Sequence, residues 1–386
     1  MKDETRNIRS GAEPKPLART VNPPIQKAST VLLPSAAALY DPCQTSYGRG
    51  GLSAQNALCE AIADMEGAAG ARLYPSGLAA MTGPLLALLK AGDEVLVAEH
   101  VYRPTRVFCD RMLARYGVGV RYYPQTLPPA DLAALIGEKT RIIVLEAPGS
   151  LTFEMQDVPA IAALARERGV LTVMDNTWAA GWLFKPIEHG VDISCQALTK
   201  YVGGHSDVFM GLACARDEAL LARLDASDHE IGWSVSPDDA YLMLRGLRTL
   251  PVRLERHGKN GLQVAEWLRK QPEVAEVIHP ALPGTRGHDL WARDFTGACG
   301  LFGFVLNPAP EKAVHAFLDA LTLFGLGFSW GGHESLAIHC DPQRRSGSVL
   351  PDYAGPLMRL HVGLEDPEDL IADLRRGLDA FNAAKG

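Results

Sequence analysis

No run of lysine or arginine occurs anywhere in the 386 residues, and Asp, Glu, Arg or Pro interrupts every apolar stretch well short of a membrane span. With a formal charge of -7, this argues against nucleic acid or an anionic membrane surface as a partner. Cysteine is sparse: Cys43, Cys59, Cys109, Cys195, Cys214, Cys299 and Cys340 are odd in number, scattered and never in a CxxC pair. Reduced cytoplasmic thiols fit that pattern; a disulfide frame or a zinc site does not. The eleven histidines show no metal-ligand spacing, so no metal is expected. Charged residues open the chain where a secretory signal needs an apolar run, and there is no internal repeat. What is present is 47% hydrophobic composition, enough for a large core and two or three domains. A soluble cytoplasmic enzyme is the expectation.

The most informative stretch lies between Gly169 and Asp207. Residues 170–174 are almost wholly apolar and are cut off by Asp175, as in a parallel strand buried on both faces. Ligands of open α/β sheets sit beyond the carboxyl ends of such strands, so Asp175 points at a site. A second strand over 193–197 leads into Thr199-Lys200-Tyr201 and Gly203-Gly204-His205. An acid and a lysine at neighbouring strand ends suit pyridoxal phosphate (PLP). The lysine would hold the aldehyde as a Schiff base, and the acid would keep the pyridine nitrogen protonated. On spacing alone, a capping aspartate and a solvated lysine account for the same pattern.

From residue 71 onward short apolar runs alternate with helical patterns. Strands are expected over 71–74, 94–98, 118–123 and 141–145, and helices over 77–89, 105–115, 130–136 and 158–168. This rhythm predicts an α/β fold with a mainly parallel sheet between two layers of helix. Before it, Pro23 and Pro24 keep residues 20–33 extended. An apolar arm of that length cannot bury itself and is expected on another subunit, while residues 1 to 17 should be poorly ordered. After Gly246 a long helix (251–270) precedes strands over 301–306, 336–339 and 358–362 and helices over 311–321 and 370–381. The domains are therefore read as an arm (1–51), a large domain (52–246) and a smaller C-terminal α+β domain (247–386).

Other candidates gather around the same sheet edge. Tyr74-Pro75-Ser76-Gly77 is a strand, a tight turn and a helix start, where unpaired N–H groups cradle phosphate; a plain turn reads identically. Tyr102 follows the strand over 94–98 and could stack on a pyridine ring or serve the core. Arg359 stands among apolar residues in a predicted strand and needs an anion, either a substrate carboxylate or a structural ion pair. Ser329-Trp330-Gly331-Gly332-His333-Glu334-Ser335 has the composition of a site wall.

Taken together, Val21-Asn-Pro-Pro-Ile with Ser29-Thr30, Tyr47-x-Arg49, Ser76-Gly77, Asp175-Asn176-Thr177, Thr199-Lys200-Tyr201, Gly204-His205-Ser206-Asp207 and Ser329-x-Gly331-Gly332-x-Glu334-Ser335 resemble the Cys/Met-metabolism PLP enzymes, in unbroken order over about residues 19–381. Glu146-Ala-Pro148-Gly149-Ser150 and Ser329-Trp330-Gly-Gly resemble the branch of the bacterial cystathionine β-lyases. The resemblance implies fold type I, with a seven-stranded type of sheet, and a homotetramer of two tight dimers with shared active sites. It implies that Lys200 holds PLP and removes the Cα proton, that Asp175 pairs with the pyridine nitrogen, and that Tyr102 stacks on the ring. Gly77, Leu78 and Thr199 would hold the phosphate, joined by Tyr47 and Arg49 of the neighbouring subunit. Arg359 and Ser329 would take the substrate carboxylate, with Trp330 and Ser150 narrowing the site. The implied reaction is β-elimination of L-cystathionine to homocysteine, pyruvate and ammonia in methionine biosynthesis. Gly50 and Val107 stand where this branch often has an arginine and a carboxylate. A broader cysteine-S-conjugate lyase or cysteine desulfhydrase is therefore the alternative; a γ-lyase or γ-synthase, and last a PLP-binding regulatory protein, rank below it.

Overall fold

Asp175 ends a strand at the centre of the larger sheet. The computed structural model describes residues 19–41, 44–344 and 352–385; residues 1 to 17 and Cys43 lie outside them. Seven strands form this sheet: β1 (Gly70–Tyr74), β2 (Glu94–Ala98), β3 (Gly119–Tyr123), β4 (Thr140–Glu146), β5 (Leu171–Asp175), β6 (Ile193–Ala197) and β7 (Gly211–Ala215). Their order is β1-β7-β6-β5-β4-β2-β3, with β7 antiparallel to both its neighbours and the other pairs parallel. The sequence reading omits β7 because Gly-Leu-Ala-Cys-Ala has no β-branched or aromatic residue to mark it. Burial supplies what propensity lacks: all five residues are inaccessible and paired on both edges.

The central strands are apolar on both faces, with Ile142, Ile143, Val144, Leu145, Val173 and Met174 fully buried. Helices cover them. One runs Val158–Glu167, starts where the Asp157 carboxylate accepts from Ala160 N–H, and buries Val158, Ile161, Ala162 and Ala165. The helix expected over 105–115 is α-helical over Arg103–Phe108, passes through a π turn over Cys109–Leu113 and closes α-helically at residues 114–115. The Tyr122 hydroxyl competes there for Arg106 O, at 3.3 Å, the carbonyl that Asp110 N–H would take in an α-helix.

The second sheet contains β8 (Val274–Ile278), β9 (Leu301–Leu306), β10 (Gly325–Leu326), β11 (Leu336–His339) and β12 (Leu357–His361), in the order β10-β11-β12-β9-β8. β8 and the two-residue β10 are additions to the sequence reading. Helices Glu311–Asp319 and Pro367–Lys385 pack on it around Phe304, Phe317 and Phe381. The two sheets are tied by Trp178, whose Nε1 donates to Leu301 O at 3.0 Å, and by the helix Leu250–Leu268, whose Arg253 donates to Tyr201 O, Val202 O and Gly246 O. The arm runs outside both, pinned by a bridge between Thr30 and Tyr47, with Val21 and Leu32 exposed. Among the described residues no helix is long and apolar enough to cross a membrane.

Glu66 is fully buried where the helix Ser53–Glu66 meets the sheet, and Gln196 Nε2 donates to its Oε1. The unfolded side chain ionises near 4.5, whereas burial pushes the folded one up to about 7. Stability therefore falls as pH rises between those values, and an unionisable glutamine escapes the loss. In urea melts the stability of Glu66→Gln relative to wild type should improve by on the order of 2–3 kcal/mol from about pH 5 to about pH 8. A pH-independent difference would contradict the assignment.

Candidate active site

Lys200 lies three residues past β6, where its N–H donates to Ala197 O and its carbonyl accepts from Gly204 N–H. Its Nζ donates to Ser329 Oγ at 2.8 Å and stands 5.4 Å from the centre of the Trp330 ring. Burial lowers its pKa to about 8; the Arg359 charge pushes the same way and Asp175 pulls back.

Ser329 also ties Lys200 to Arg359. Its carbonyl accepts from an Arg359 Nη at 2.9 Å, and its backbone is left-handed, with φ at 71°. Arg359 sits on β12 opposite Gly303 of β9 and Ile338 of β11. Among the described residues no carboxylate pairs with Arg359, so the structural ion pair has no partner there. Burial, the larger influence, lowers its pKa. The loop can come this close to Lys200 because residue 331 is glycine: a Cβ there would lie 2.8 Å from Lys200 C, and its φ is 87°.

On the other side of Lys200, Asp175 ends β5 in register with Glu146 at the end of β4 and Cys195 on β6. Thr177 fixes the acid: its N–H (3.0 Å) and hydroxyl (2.5 Å) donate to Asp175 Oδ1, while Ala197 N–H donates back to that hydroxyl. Burial raises the Asp175 pKa, with the Thr177 donors and Lys200 opposing. Glu146, whose Oε2 accepts from Tyr102 N–H at 2.7 Å, is held well above the usual carboxylate range by burial and then by Asp175. Tyr102 is 45% exposed, and burial followed by the two acids keeps its phenol up. Sequence reasoning passed over Glu146, although an apolar run cut off by an acid marks it as it marks Asp175. It missed Arg253 too, one of two arginines on its helix and unmarked by any pattern.

The Ser76-Gly77 turn rests on the cofactor edge of the sheet. A Cβ on Gly77 would meet the Ala197 Cβ at 2.3 Å, and one on Gly211 would meet Ser76 O at 2.3 Å. Ala197 and Gly211 are ladder partners on β6 and β7, so two small residues side by side let the helix Gly77–Leu88 begin against the strand ends. The Ser76 hydroxyl is taken as its N-cap by Ala79 N–H, and the Thr199 hydroxyl is exchanged with Met210 N–H and O. The N–H groups of Gly77 and Leu78 face no described acceptor. An amine of lowered pKa, a fixed acid, a ring and unpaired helix N–H groups form a donor set that suits PLP.

Ser150 lies in the loop after β4, its N–H donating to His100 O at 3.0 Å. Tyr47 and Arg49 are not brought to Lys200. They border a separate cavity of about 1240 Å3, shared with Arg72, Asp225 and Trp233.

The sequence profile of the Cys/Met metabolism PLP-dependent enzymes matches residues 4–379. A protein of Rhizobium johnstonii named putative cystathionine β-lyase is 49% identical, covering 98% of this chain and 96% of its own. The cystathionine β-lyase of Escherichia coli is 41% identical over 97% of each. The crystal structure of a Xanthomonas oryzae cystathionine γ-synthase in complex with cystathionine superposes with a TM-score of 0.90 at 32% identity, over 100% of this chain and 99% of that one. By profile, identity and fold, the chain belongs to the Cys/Met metabolism PLP-dependent enzymes, fold type I.

Proposed function

We propose that this enzyme is a carbon–sulfur lyase that eliminates at Cβ of L-cystathionine, giving homocysteine, pyruvate and ammonia. The observation that carries the reading is the contact of one serine, Ser329, with both the Lys200 amine and the unpaired Arg359 fork. It sets a base beside a carboxylate receptor and therefore at the Cα of a bound amino acid. The relatives named cystathionine β-lyase support the choice of reaction. Methionine biosynthesis in the cytoplasm is the setting that the β-lyase reading and the scattered thiols favour.

Bound PLP supplies an electron-poor ring that makes the Cα proton of an attached amino acid acidic. Lys200 would hold it, Asp175 would pair with the pyridine nitrogen, and Tyr102 would stack on the ring. Gly77 and Leu78 N–H would receive the phosphate with Thr199 beside them, and Tyr47 and Arg49 would reach it from a neighbouring subunit. Arg359 takes the α-carboxylate with the N–H groups that Ser329 O leaves free. Lys200, an amine titrating at about 8, is partly unprotonated near neutrality and can accept the Cα proton. Loss of that proton expels homocysteine thiolate from Cβ, and the three-carbon remainder hydrolyses to pyruvate and ammonia. Elimination at Cγ needs a second proton, from Cβ. The Trp330 ring near Nζ and Ser150 in the loop after β4 would narrow the site so that only Cα–H faces the base. The exposed arm and the separate position of Tyr47 and Arg49 support dimers with shared sites, paired into a homotetramer. A wider range of cysteine conjugates is favoured by Gly50, where a Cβ would meet nothing within 4 Å, and by Val107, 38% exposed, since neither offers a charge to a distal group.

Chromatography of the keto acids made from cystathionine should show pyruvate with homocysteine; a predominance of 2-oxobutyrate with cysteine would mean Cγ chemistry. Arg359→Lys keeps the charge and loses the two-point geometry, so it should be nearly as damaging as Arg359→Ala, at about 2–5 kcal/mol in kcat/KM. A lysine variant close to wild type would leave Arg359 a structural role. Lys200→Ala and Arg49→Ala should each be inactive alone, and verified mixed dimers should regain part of the activity. If they regain none, the site is not shared.

A further inference from the structure

Behind the Ser329 loop lies a buried ring that the proposed chemistry does not use. His361 is two residues past Arg359 on β12 and is 1% exposed. Its Nε2 is 3.1 Å from Gly331 N and 3.0 Å from Gly332 O, and its Nδ1 is buried without a described hydrogen bond. One nitrogen cannot donate and accept at once, yet either tautomer binds the loop. Protonated, Nε2 donates to Gly332 O; unprotonated, it accepts from Gly331 N–H.

The ring is itself boxed in. Tyr201, the neighbour of Lys200, meets its edge at 5.8 Å between centres, and His257 lies 5.2 Å away, with its Nδ1 at 2.9 Å from Val362 O. Tyr201 also packs on Trp330 at 5.4 Å, and its hydroxyl accepts from Gly300 N–H. A ring packed against Tyr201 and His257 grips the two glycines that follow Ser329 and Trp330. Ser329 needs such a grip, because a non-glycine residue with φ at 71° relaxes unless its surroundings hold it.

We infer that His361 is a positioning residue: through the Gly331–Gly332 peptide it keeps Ser329 in its left-handed conformation, with the hydroxyl on the Lys200 amine and the carbonyl on Arg359. The ring is not a proton carrier. Burial, reinforced by the charges of His257, Arg359 and Lys200, pushes its pKa down to about 3, so it stays neutral wherever the enzyme works. Around Lys200 the titratable and charged groups are Arg359 of β12, Asp175 of β5 and Tyr102 after β2; His361 touches none of these and acts on the amine only through Ser329.

The inference rests on the roles given above to Lys200, Ser329 and Arg359, but its test does not depend on which substrate is turned over. In PLP-free protein, acylation of Lys200 is followed against pH by mass spectrometry of its peptide, for wild type, Ser329→Ala, His361→Phe and the double variant. His361→Phe keeps the ring and removes the nitrogen. Its Lys200 midpoint should move in the same direction and by the same amount as that of Ser329→Ala, and the double variant should move no further. His361→Gln, whose amide both donates and accepts, should restore the wild-type midpoint. In the PLP-loaded enzyme, His361→Phe should lower kcat/KM roughly ten-fold, the scale of one buried hydrogen bond left unmade. A wild-type midpoint in His361→Phe or in Ser329→Ala, or a midpoint in His361→Gln that stays with the Phe variant, overturns the inference. If the Phe variant does not fold, His361→Asn, too short to reach Gly331, replaces it on the same terms. Failure of the β-lyase reading is recognised separately, by the wrong keto acid from wild-type enzyme.

Discussion

Arg253 holds together the two halves of the structure. Its guanidinium leaves the helix Leu250–Leu268, is 8% exposed, and donates to the carbonyls of Tyr201, Val202 and Gly246. A charge that deep is costly unless its hydrogen bonds are satisfied, and here backbone oxygens satisfy it. The turn carrying Lys200 thereby gains fixed donors at the place where it leaves the sheet. Burial lowers the Arg253 pKa to about 10, still well above neutrality, so the anchor stays charged. Gly204 belongs to the same arrangement: its φ is 71°, and a Cβ would lie 2.2 Å from an Arg253 nitrogen. The lysine is placed by a long-range contact, and the glycine makes room for it.

The electrostatics of the site follow from crowding like charges. After burial, the Arg359 charge lowers the affinity of Lys200 for protons, and Asp175 raises that of Glu146 beside it at the end of β4. Neither pair is neutralised within itself. Uncompensated groups in a partly dry cleft reduce stability, and they persist where a ligand supplies the missing partner. The two cations suit an anionic substrate end, and the two acids suit a protonated ring nitrogen. The site's charge pattern is thus close to a cast of a zwitterionic amino acid attached to a basic heterocycle.

Much of this was legible in the sequence where local rules suffice. The strands ending on Asp175 and leading to Lys200 and the helix start at Ser76-Gly77 follow from hydrophobic period and turn chemistry. β7 was not legible, because five residues with no β-branched or aromatic member become a strand only through their partners on both edges. The role of Glu146 depends on strand order, which brings β4 beside β5, and that of Arg253 on a contact across about fifty positions of chain. His361 stood in plain view beside Arg359, but its meaning depends on a loop that returns from thirty residues earlier. The pattern identified the residues at strand ends; it could not supply the contacts behind them.

Ser329 serves two masters with two atoms, the hydroxyl toward Lys200 and the carbonyl toward Arg359. Whatever occupies Lys200 is therefore felt at Arg359 through a single residue held off its preferred backbone conformation. In the proposed reading, a cofactor held by the amine would take away the donor of the Ser329 hydroxyl and leave it free to turn toward a carboxylate at the neighbouring fork. By linkage, cofactor and substrate would then each strengthen the binding of the other.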